Sequence, residues 1–354
     1  MNKANTKHKL RLLMLTFGDW DHASSRERAV KYQPLLEANG RYQIYWIPRV
    51  PPRPKNLMHK IFFPFVKRFL AIKRTIVLIF GNWDVIFIQR LFLARWVLRI
   101  PKYWRIPIIY DFDDAIYLDG PGQLRNQVQT IAMINSAALV IVSSSELVPF
   151  CHENGCNPVV IPTPVDPDRI QPHPIDHGED LFTIGWIGSP WTTPYLCGIA
   201  FALKKVAHLR KIKLLIVGAD PEFMLDDVAV IHESWSYERE PELLQKMSAG
   251  IMPLPDDEWA RGKGGYKLLL YMSAGLAVVA SPVGVNNEIV AHGESGFLAA
   301  TEDDWIKCLL QLCDDPELRR KMGRLGRERI LKRFSRAVCF EKLQRCLNQI
   351  FKLS

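Results

Sequence analysis

The chain has 354 residues, 48% of them apolar and 23% charged, with 46 lysines and arginines against 37 acidic residues and a formal net charge of +9. That length suits two domains of ordinary size, and that composition excludes the disordered, fibrous and disulfide-scaffold classes. The basic balance favours anionic partners without choosing among nucleic acid, acidic lipid and phosphorylated small molecules.

Basic residues Lys3, Lys7, Lys9 and Arg11 precede the apolar run 12–17. The run is too short for a secretion signal, and Gly18-Asp19-Trp20-Asp21 follows it without a small-residue cleavage site. It reads as a buried first strand. Further strands are expected at 42–47, 85–89, 108–111, 139–143 and 159–161. Runs that are apolar throughout and alternate with helical patterns indicate parallel strands covered on both faces.

The stretch 53–74 interleaves Lys55, His59, Lys60, Lys67, Arg68, Lys73 and Arg74 with Phe62-Phe63, Phe65-Val66 and Phe69-Leu70. A basic, aromatic-rich amphipathic segment suits an anionic membrane surface, and also suits a domain helix with an exposed basic face. No run of about eighteen uncharged apolar residues occurs, so no transmembrane helix is expected.

Prolines crowd 162–174 and cannot continue a helix or central strand. An N-terminal domain at 1–165, a linker at 166–176 and a C-terminal domain at 177–334 follow. A last helix at 335–354 is free to cross back to the N-terminal domain. The second half restarts the alternation: strand 183–187, helix 193–208, strands 213–217 and 228–231, helix 240–247, strand 251–254, helix 266–274, strands 277–281 and 297–299. Helices at 302–313, 316–334 and 336–351 end the chain. The seven cysteines form no CxxC pair, and the five-residue spacings Cys151/Cys156 and Cys308/Cys313 do not fit a zinc knuckle. They read as reduced, mostly buried thiols of a cytoplasmic protein.

Three strand–turn–helix junctions of the second half carry small and basic residues. At the first, Gly188 permits close backbone approach, and Ser189, Pro190, Thr192 and Thr193 open a helix whose N-terminus can seat a phosphate. Simple capping explains the same hydroxyls. The second is Arg261-Gly262-Lys263-Gly264-Gly265-Tyr266-Lys267. With Lys263 at the helix entry, the four-residue spacing puts both ammonium groups on one side, where they suit a diphosphate. The third, Gly284-Val285-Asn286-Asn287-Glu288, follows strand 277–281. In open parallel sheets ligands sit beyond the carboxyl ends of the strands, where all three turns converge.

The string GKGGYKLLLYMSAGLAVVASPVGVNNEIV from Gly262, with HGESGFLA after it, IGWIGSPWTTPYL before it, and the tail Asp315-Pro316-Glu317-Leu318-Arg319, resembles the donor region of family 4 glycosyltransferases. These are retaining enzymes of GT-B architecture, an α/β fold of two Rossmann-like domains facing each other across a cleft. The resemblance implies a metal-independent hexosyl or related transfer from a nucleoside-diphosphate sugar, a co-substrate and not a resident cofactor, to a glycan or lipid-linked acceptor. It places the diphosphate on Gly188, Ser189, Pro190 and Thr192 with Gly262, Lys263 and Lys267, and the donor sugar near Gly284, Val285, Asn286 and Glu288. It implies a role in cell-surface polysaccharide or glycolipid synthesis, in the cytoplasm or on the inner face of the membrane. Many members carry two glutamates eight residues apart, where this chain has Gly262 and Leu270. Ribose and sugar contacts then fall to other groups, with Asp256, Asp257 and Glu258 as candidates, or the chain is a non-catalytic nucleotide-sugar-binding relative.

In the first half Asp111, Asp113 and Asp114 follow a strand. They suit a general base or acceptor-orienting role, turn capping, or a hard cation; the resemblance assigns no metal. Ser25, Arg26, Arg28 and Arg90 are candidates for holding an acceptor or its phosphates, and Arg26 and Arg28 equally suit a capped first helix with exposed arginines. The charge alone would allow a nucleic-acid binder, with steeply salt-dependent affinity. No nucleic-acid motif occurs, and nucleic acid is not an expected partner.

Overall fold

The computed structural model describes residues 9–49, 57–118, 126–172 and 181–353. The chain divides into two compact units, 1–163 with 340–354, and 164–339. Each is built on one six-stranded sheet whose neighbouring strands all run parallel.

In the first unit the strands are β1 (Leu10–Thr16), β2 (Tyr42–Pro48), β3 (Val85–Gln89), β4 (Ile108–Phe112), β5 (Leu139–Val142) and β6 (Val159–Val160). The helices are α1 (Ala23–Arg28), α2 (Gln33–Ala38), α3 (Leu57–Phe80), α4 (Arg95–Tyr103), α5 (Gln127–Ser136) and α6 (Val148–Glu153). The sheet order is β2-β1-β3-β4-β5-β6. Strands β3 and β4 are buried at every position, as their mostly apolar runs lead one to expect, and each carries one buried polar residue, Gln89 and Asp111.

The second unit contains β7 (Phe182–Ile187), α7 (Ala200–Leu209), β8 (Ile212–Val217), β9 (Ala229–Glu233), α8 (Glu240–Gln245) and β10 (Ala249–Met252). Then come α9 (Glu258–Arg261), α10 (Tyr266–Ser273), β11 (Ala277–Ala280), α11 (Asn286–Ile289), β12 (Phe297–Leu298), α12 (Glu302–Asp314) and α13 (Pro316–Arg333). The last helix, α14 (Arg336–Leu353), starts in this unit and has its remainder in the first. The sheet order is β12-β11-β10-β7-β8-β9.

Both orders reverse direction once, between β1 and β3 in the first sheet and between β7 and β10 in the second. Connections diverge at such a point and leave a crevice outside the strand carboxyl ends, where ligands of open α/β sheets bind. The loops after β1 and β3, and those after β7 and β10, are therefore the places to look for chemistry.

Two expectations need correction. The helix expected at 193–208 opens instead as 3₁₀ structure over Pro190–Ile199 and becomes α-helical only from Ala200. Pro194, inside the segment, lacks the N–H that an α-helical ladder needs. Lys263 is not at a helix entry. It lies in the loop after α9, and Gly265, at φ 68° in the left-handed region, starts α10 two residues later. A Cβ at Gly265 would meet Ile289 and Val285, so only glycine makes this turn here. All seven cysteines are free thiols, four of them buried.

Candidate functional site

Two lysines of the second unit lie at its switch point. Trp186, wholly buried on β7, forms the floor. The Lys267 ammonium lies 4.5 Å from its ring centroid. The Lys263 ammonium, carried by the loop after β10, lies 4.9 Å from the Trp259 ring and 6.0 Å from that of Tyr195. Tyr195 belongs to the 3₁₀ segment after β7, so one lysine contacts both loops of the crevice. Aromatic faces hold an ammonium by their quadrupole without neutralising it. Burial pushes the Lys267 ammonium down to about 7, and the charge of Lys263 pushes the same way. The two cations therefore repel across the crevice, and an anion between them would relieve both.

The third loop, after β11, closes on the second. A Cβ at Gly284, whose φ is 54°, would lie 2.3 Å from the Arg261 carbonyl oxygen. Ser281 Oγ accepts the Leu254 N–H at 2.9 Å, which ties the two loops together. Among the described residues, no hydrogen-bond acceptor meets the N–H groups of Gly284 and Val285. Those of Asn286, Asn287 and Glu288 are used in turn bonds to Val283, Gly284 and Val285. The backbone thus offers two donors at this turn. Asn286 is fully buried and its side-chain amide donates to the Ser281 carbonyl, so it shapes the turn from below instead of facing a ligand. Glu288 is half-buried, and its carbonyl accepts from Arg329.

The first loop is less open than its composition promises. The Gly188 N–H donates to Val217, and the Ser189 N–H to Thr192 Oγ1 at 3.1 Å. The hydroxyls of Thr192 and Thr193 donate to the Ser189 carbonyl. Capping uses the groups that would have met a phosphate. A Cβ at Gly188 would lie 2.0 Å from the Trp186 ring, so glycine here makes room for the floor of the crevice. Pro190 opens the 3₁₀ segment, beside Trp191, which is 92% exposed. Gly262 ends α9, and Leu270 is buried in the core. Asp257 caps α9 by accepting the Ala260 N–H, and Asp256 pairs with Arg261 on the surface. Both of these carboxylates are thereby engaged away from any ribose.

In the first unit the switch point holds a second polar cluster. Arg90 follows β3 with φ 51°, a conformation uncommon for a residue with a Cβ and one found at functional sites. Its guanidinium meets Asp114 at 2.9 Å and Asp113 at 3.4 Å. Ser24 Oγ donates to Asp113. His22, just before α1, is 3.5 Å from Ser25 Oγ. Burial and then Arg90 lower its pKa, which Asp113 and Asp114 partly oppose. A neutral imidazole beside a carboxylate can take a proton. His22 is not recognisable from sequence, because a single histidine in a turn carries no signal until the fold brings it under the influence of Arg90.

Four candidates of this half are structural. Arg28 is buried and donates to both oxygens of Asp111, at 2.9 and 2.6 Å, and to the Ile161 carbonyl. Arg26 is fully buried against Glu27, which also binds Lys31. Ser25 Oγ donates to Gln89 and accepts the Gly18 N–H. Ser25, Arg26, Arg28 and Asp111 are thus inaccessible to an acceptor, and the arginines are not the exposed ones of a capped surface helix. Each carboxylate weighed for a cation faces an arginine instead. Among the described residues no three His, Cys, Asp or Glu side chains are placed to hold a metal ion.

With this geometry established, residues 182–315 match the model of the family described as Glycosyl transferases group 1, a match that lies wholly within the second unit. Among solved structures, sucrose-phosphate synthase from Thermosynechococcus elongatus shares the fold with a TM-score of 0.74 at 15% identity, over 98% of this chain and 100% of that one. A glycosyltransferase from Rickettsia africae gives 0.70 at 15% identity, over 98% and 100%. HepE of Anabaena, in complex with UDP and glucose, gives 0.64 at 16% identity, over 96% and 100%. No curated protein matches the chain in sequence. The fold is the two-unit, Rossmann-like one of GT-B glycosyltransferases.

Proposed function

We propose that this chain is a glycosyltransferase that moves a hexosyl or related group from a nucleoside-diphosphate sugar to a glycan or lipid-linked acceptor. The carrying observation is the placement of Lys263, Lys267 and the two unused N–H groups of Gly284 and Val285 around one crevice of the second unit. Departure of a nucleoside diphosphate develops negative charge on its terminal phosphate. Preorganised cations and N–H dipoles stabilise that charge more in the transition state than in the bound donor. Two ammonium groups supply positive charge of the kind a divalent ion would bring, which supports metal-independent transfer. Gly188, Ser189, Pro190 and Thr192 shape the wall beside the diphosphate, Gly262 ends α9 and leads into the Lys263 loop, and Glu288 stands by the donor sugar. Asp256, Asp257 and Glu258 lie on the same side of the sheet, and Glu258 is the one with an uncommitted carboxylate for the ribose among the described residues. In the first unit His22, Asp113 and Asp114, ordered by Arg90, receive and orient the acceptor hydroxyl. Retention of configuration, a cytoplasmic location and a role in cell-surface polysaccharide or glycolipid synthesis rest on the family resemblance.

A panel of sugar nucleotides tests this reading by thermal shift and by release of free nucleoside diphosphate in the presence of acceptor extracts. One donor is expected both to raise the melting temperature and to be consumed. Binding without consumption on any extract would establish the second reading, a non-catalytic nucleotide-sugar-binding protein, which Gly262 and the buried Leu270 favour. No binding by any donor sinks both.

The pKa of Lys267 makes a sharper prediction. In the free protein it loses its proton near pH 7. A bound diphosphate favours the charged form and raises that value. Binding above about pH 7 therefore takes up a proton, and affinity for UDP falls as pH rises, by up to about tenfold per unit. Below about pH 7 the lysine is already charged and this dependence is absent. Calorimetry in two buffers of different ionisation heat counts the proton. In Lys267→Arg, which stays charged throughout, the slope is expected to vanish. A wild-type affinity that is flat between about pH 7 and about pH 9 would remove Lys267 from the diphosphate site.

A further inference from the structure

The first unit leaves an apolar face in water. On α3, Phe65, Phe69, Ile72, Ile76 and Phe80 recur at helical spacing and are 49–81% exposed. Leu78, on the opposite side, is buried. Arg68 and Lys73 are exposed and flank the stripe on its two edges. Helix α4 lies alongside, and a cavity between them is lined by Ala71, Thr75 and Leu78 of α3 and by Trp96 and Val97 of α4. Trp96, Tyr103 and Trp104 stand out from α4 and its end, 58–79% exposed, among exposed Arg99, Lys102 and Arg105.

Charge across this region has one sign. Residues 57–110 contain ten lysines and arginines and a single carboxylate, Asp84, whose oxygen accepts the Arg11 N–H. A contiguous exposed apolar patch of this kind marks an interaction surface. Tryptophan and tyrosine at its rim fit the boundary between acyl chains and headgroups, and lysines and arginines around it fit acidic headgroups. A second copy of the chain would bring like charges together around the same stripe. This surface overlaps the basic, aromatic-rich stretch 53–74 through Phe65, Arg68, Phe69, Ile72 and Lys73 and extends beyond it along α3 and onto α4; Arg53 and Lys55 lie outside the described residues.

We propose that the exposed face formed by α3 and α4 docks the first unit on an anionic lipid surface, with the apolar stripe seated among the acyl chains and the flanking cations on the headgroups. The chain then lies on the membrane, and no helix among the described residues is long and apolar enough to cross one. The inference does not depend on the donor chemistry.

Flotation of the full chain with vesicles tests it, using phosphatidylcholine alone or with a third of the lipid as phosphatidylglycerol. The wild type is expected to float with the anionic vesicles, less so as salt rises, and to stay behind with the neutral ones. Arg68→Gln/Lys73→Gln/Arg99→Gln is expected to weaken partitioning on the order of 100-fold. Phe65→Ser/Phe69→Ser/Ile72→Ser is expected to abolish it at any salt, while both variants keep the wild-type circular dichroism and melting transition, since every altered side chain is exposed. Equal binding to both vesicle types, or binding that survives the serine variant, overturns the proposal. So does a vesicle-free dimer that the serine variant dissolves, which would make this face a contact between copies of the chain.

Discussion

Lys263→Ala is expected to lower kcat for sugar transfer by about 100- to 1,000-fold, the usual cost of removing one preorganised group that stabilises a developing anion. Its place in the fold makes the loss specific. The side chain belongs to the loop after α9, and its ammonium lies 4.9 Å from the Trp259 ring centroid and 6.0 Å from that of Tyr195. The melting temperature should therefore stay within a degree or two of the wild type, as for most surface substitutions. The loss should fall mainly on kcat, because the charge that Lys263 meets is larger in the transition state than in the bound donor. Lys263→Arg keeps the charge and the aromatic contact but alters reach and geometry, and should recover part of the rate. An alanine variant with unchanged kcat would place the diphosphate elsewhere. An alanine variant that raises KM alone would make Lys263 a binding group with no part in the departure of the leaving group.

Much of this crevice was legible in the sequence because its parts are local. The apolar runs at 183–187, 213–217 and 277–281 could only be buried strands, and the glycine-rich and small-residue turns after them lie at the sheet edge that the architecture dictates. Lys263 and Lys267 stood out as polar groups in an otherwise apolar context. Their mutual arrangement was misread, since a four-residue spacing implies one helical face, whereas Gly264 and Gly265 interrupt the helix and return Lys263 to the crevice by a loop. Trp186 was invisible as a functional residue. Within a strand it reads as core, and only the tertiary fold lays Lys267 across its ring. The same limit applied to Thr192 and Thr193, whose sequence fits capping and phosphate binding equally well until their partners are known. In the first unit Arg28 looked accessible because its burial depends on a residue far away in the chain, Asp111 on β4, whereas Arg26 pairs with the adjacent Glu27 and is buried by the packing around both. His22 and Arg90 come together for the same reason, through the strand order and not through their spacing.

Arg28→Met is expected to destabilise the first unit by about 3–5 kcal/mol, the cost of breaking a buried, hydrogen-bonded ion pair. Both partners are nearly inaccessible to water, and the guanidinium donates to two carboxylate oxygens, to the Ile161 carbonyl and, at 3.3 Å, to Thr163. It thus links α1 to β4 and to the strand end after β6. Burial raises the pKa of Asp111, and Arg28 offsets only part of that rise. Without the arginine the orphaned carboxyl prefers to hold its proton in the folded protein, whereas in the unfolded chain it loses that proton near pH 4. The folded state then binds more protons, so the variant should lose stability as pH rises above about 4, by up to about 1.4 kcal/mol per unit, until the raised folded pKa is passed. The deficit relative to wild type should accordingly be larger at neutral pH than in mild acid. Replacing both partners, Arg28→Met/Asp111→Leu, removes the unpaired charge and should recover most of the stability, apart from the bonds to Ile161 and Thr163. Denaturant unfolding followed by a probe within the first unit measures all three, since the two units need not unfold together. If Arg28→Met instead cost less than about 1 kcal/mol, and its loss appeared in acceptor binding, Arg28 would belong to the acceptor site that its sequence context first suggested. A large, pH-dependent loss rescued by the double variant fixes it as the interior brace on which the neighbouring Arg90–Asp113–Asp114 cluster is held.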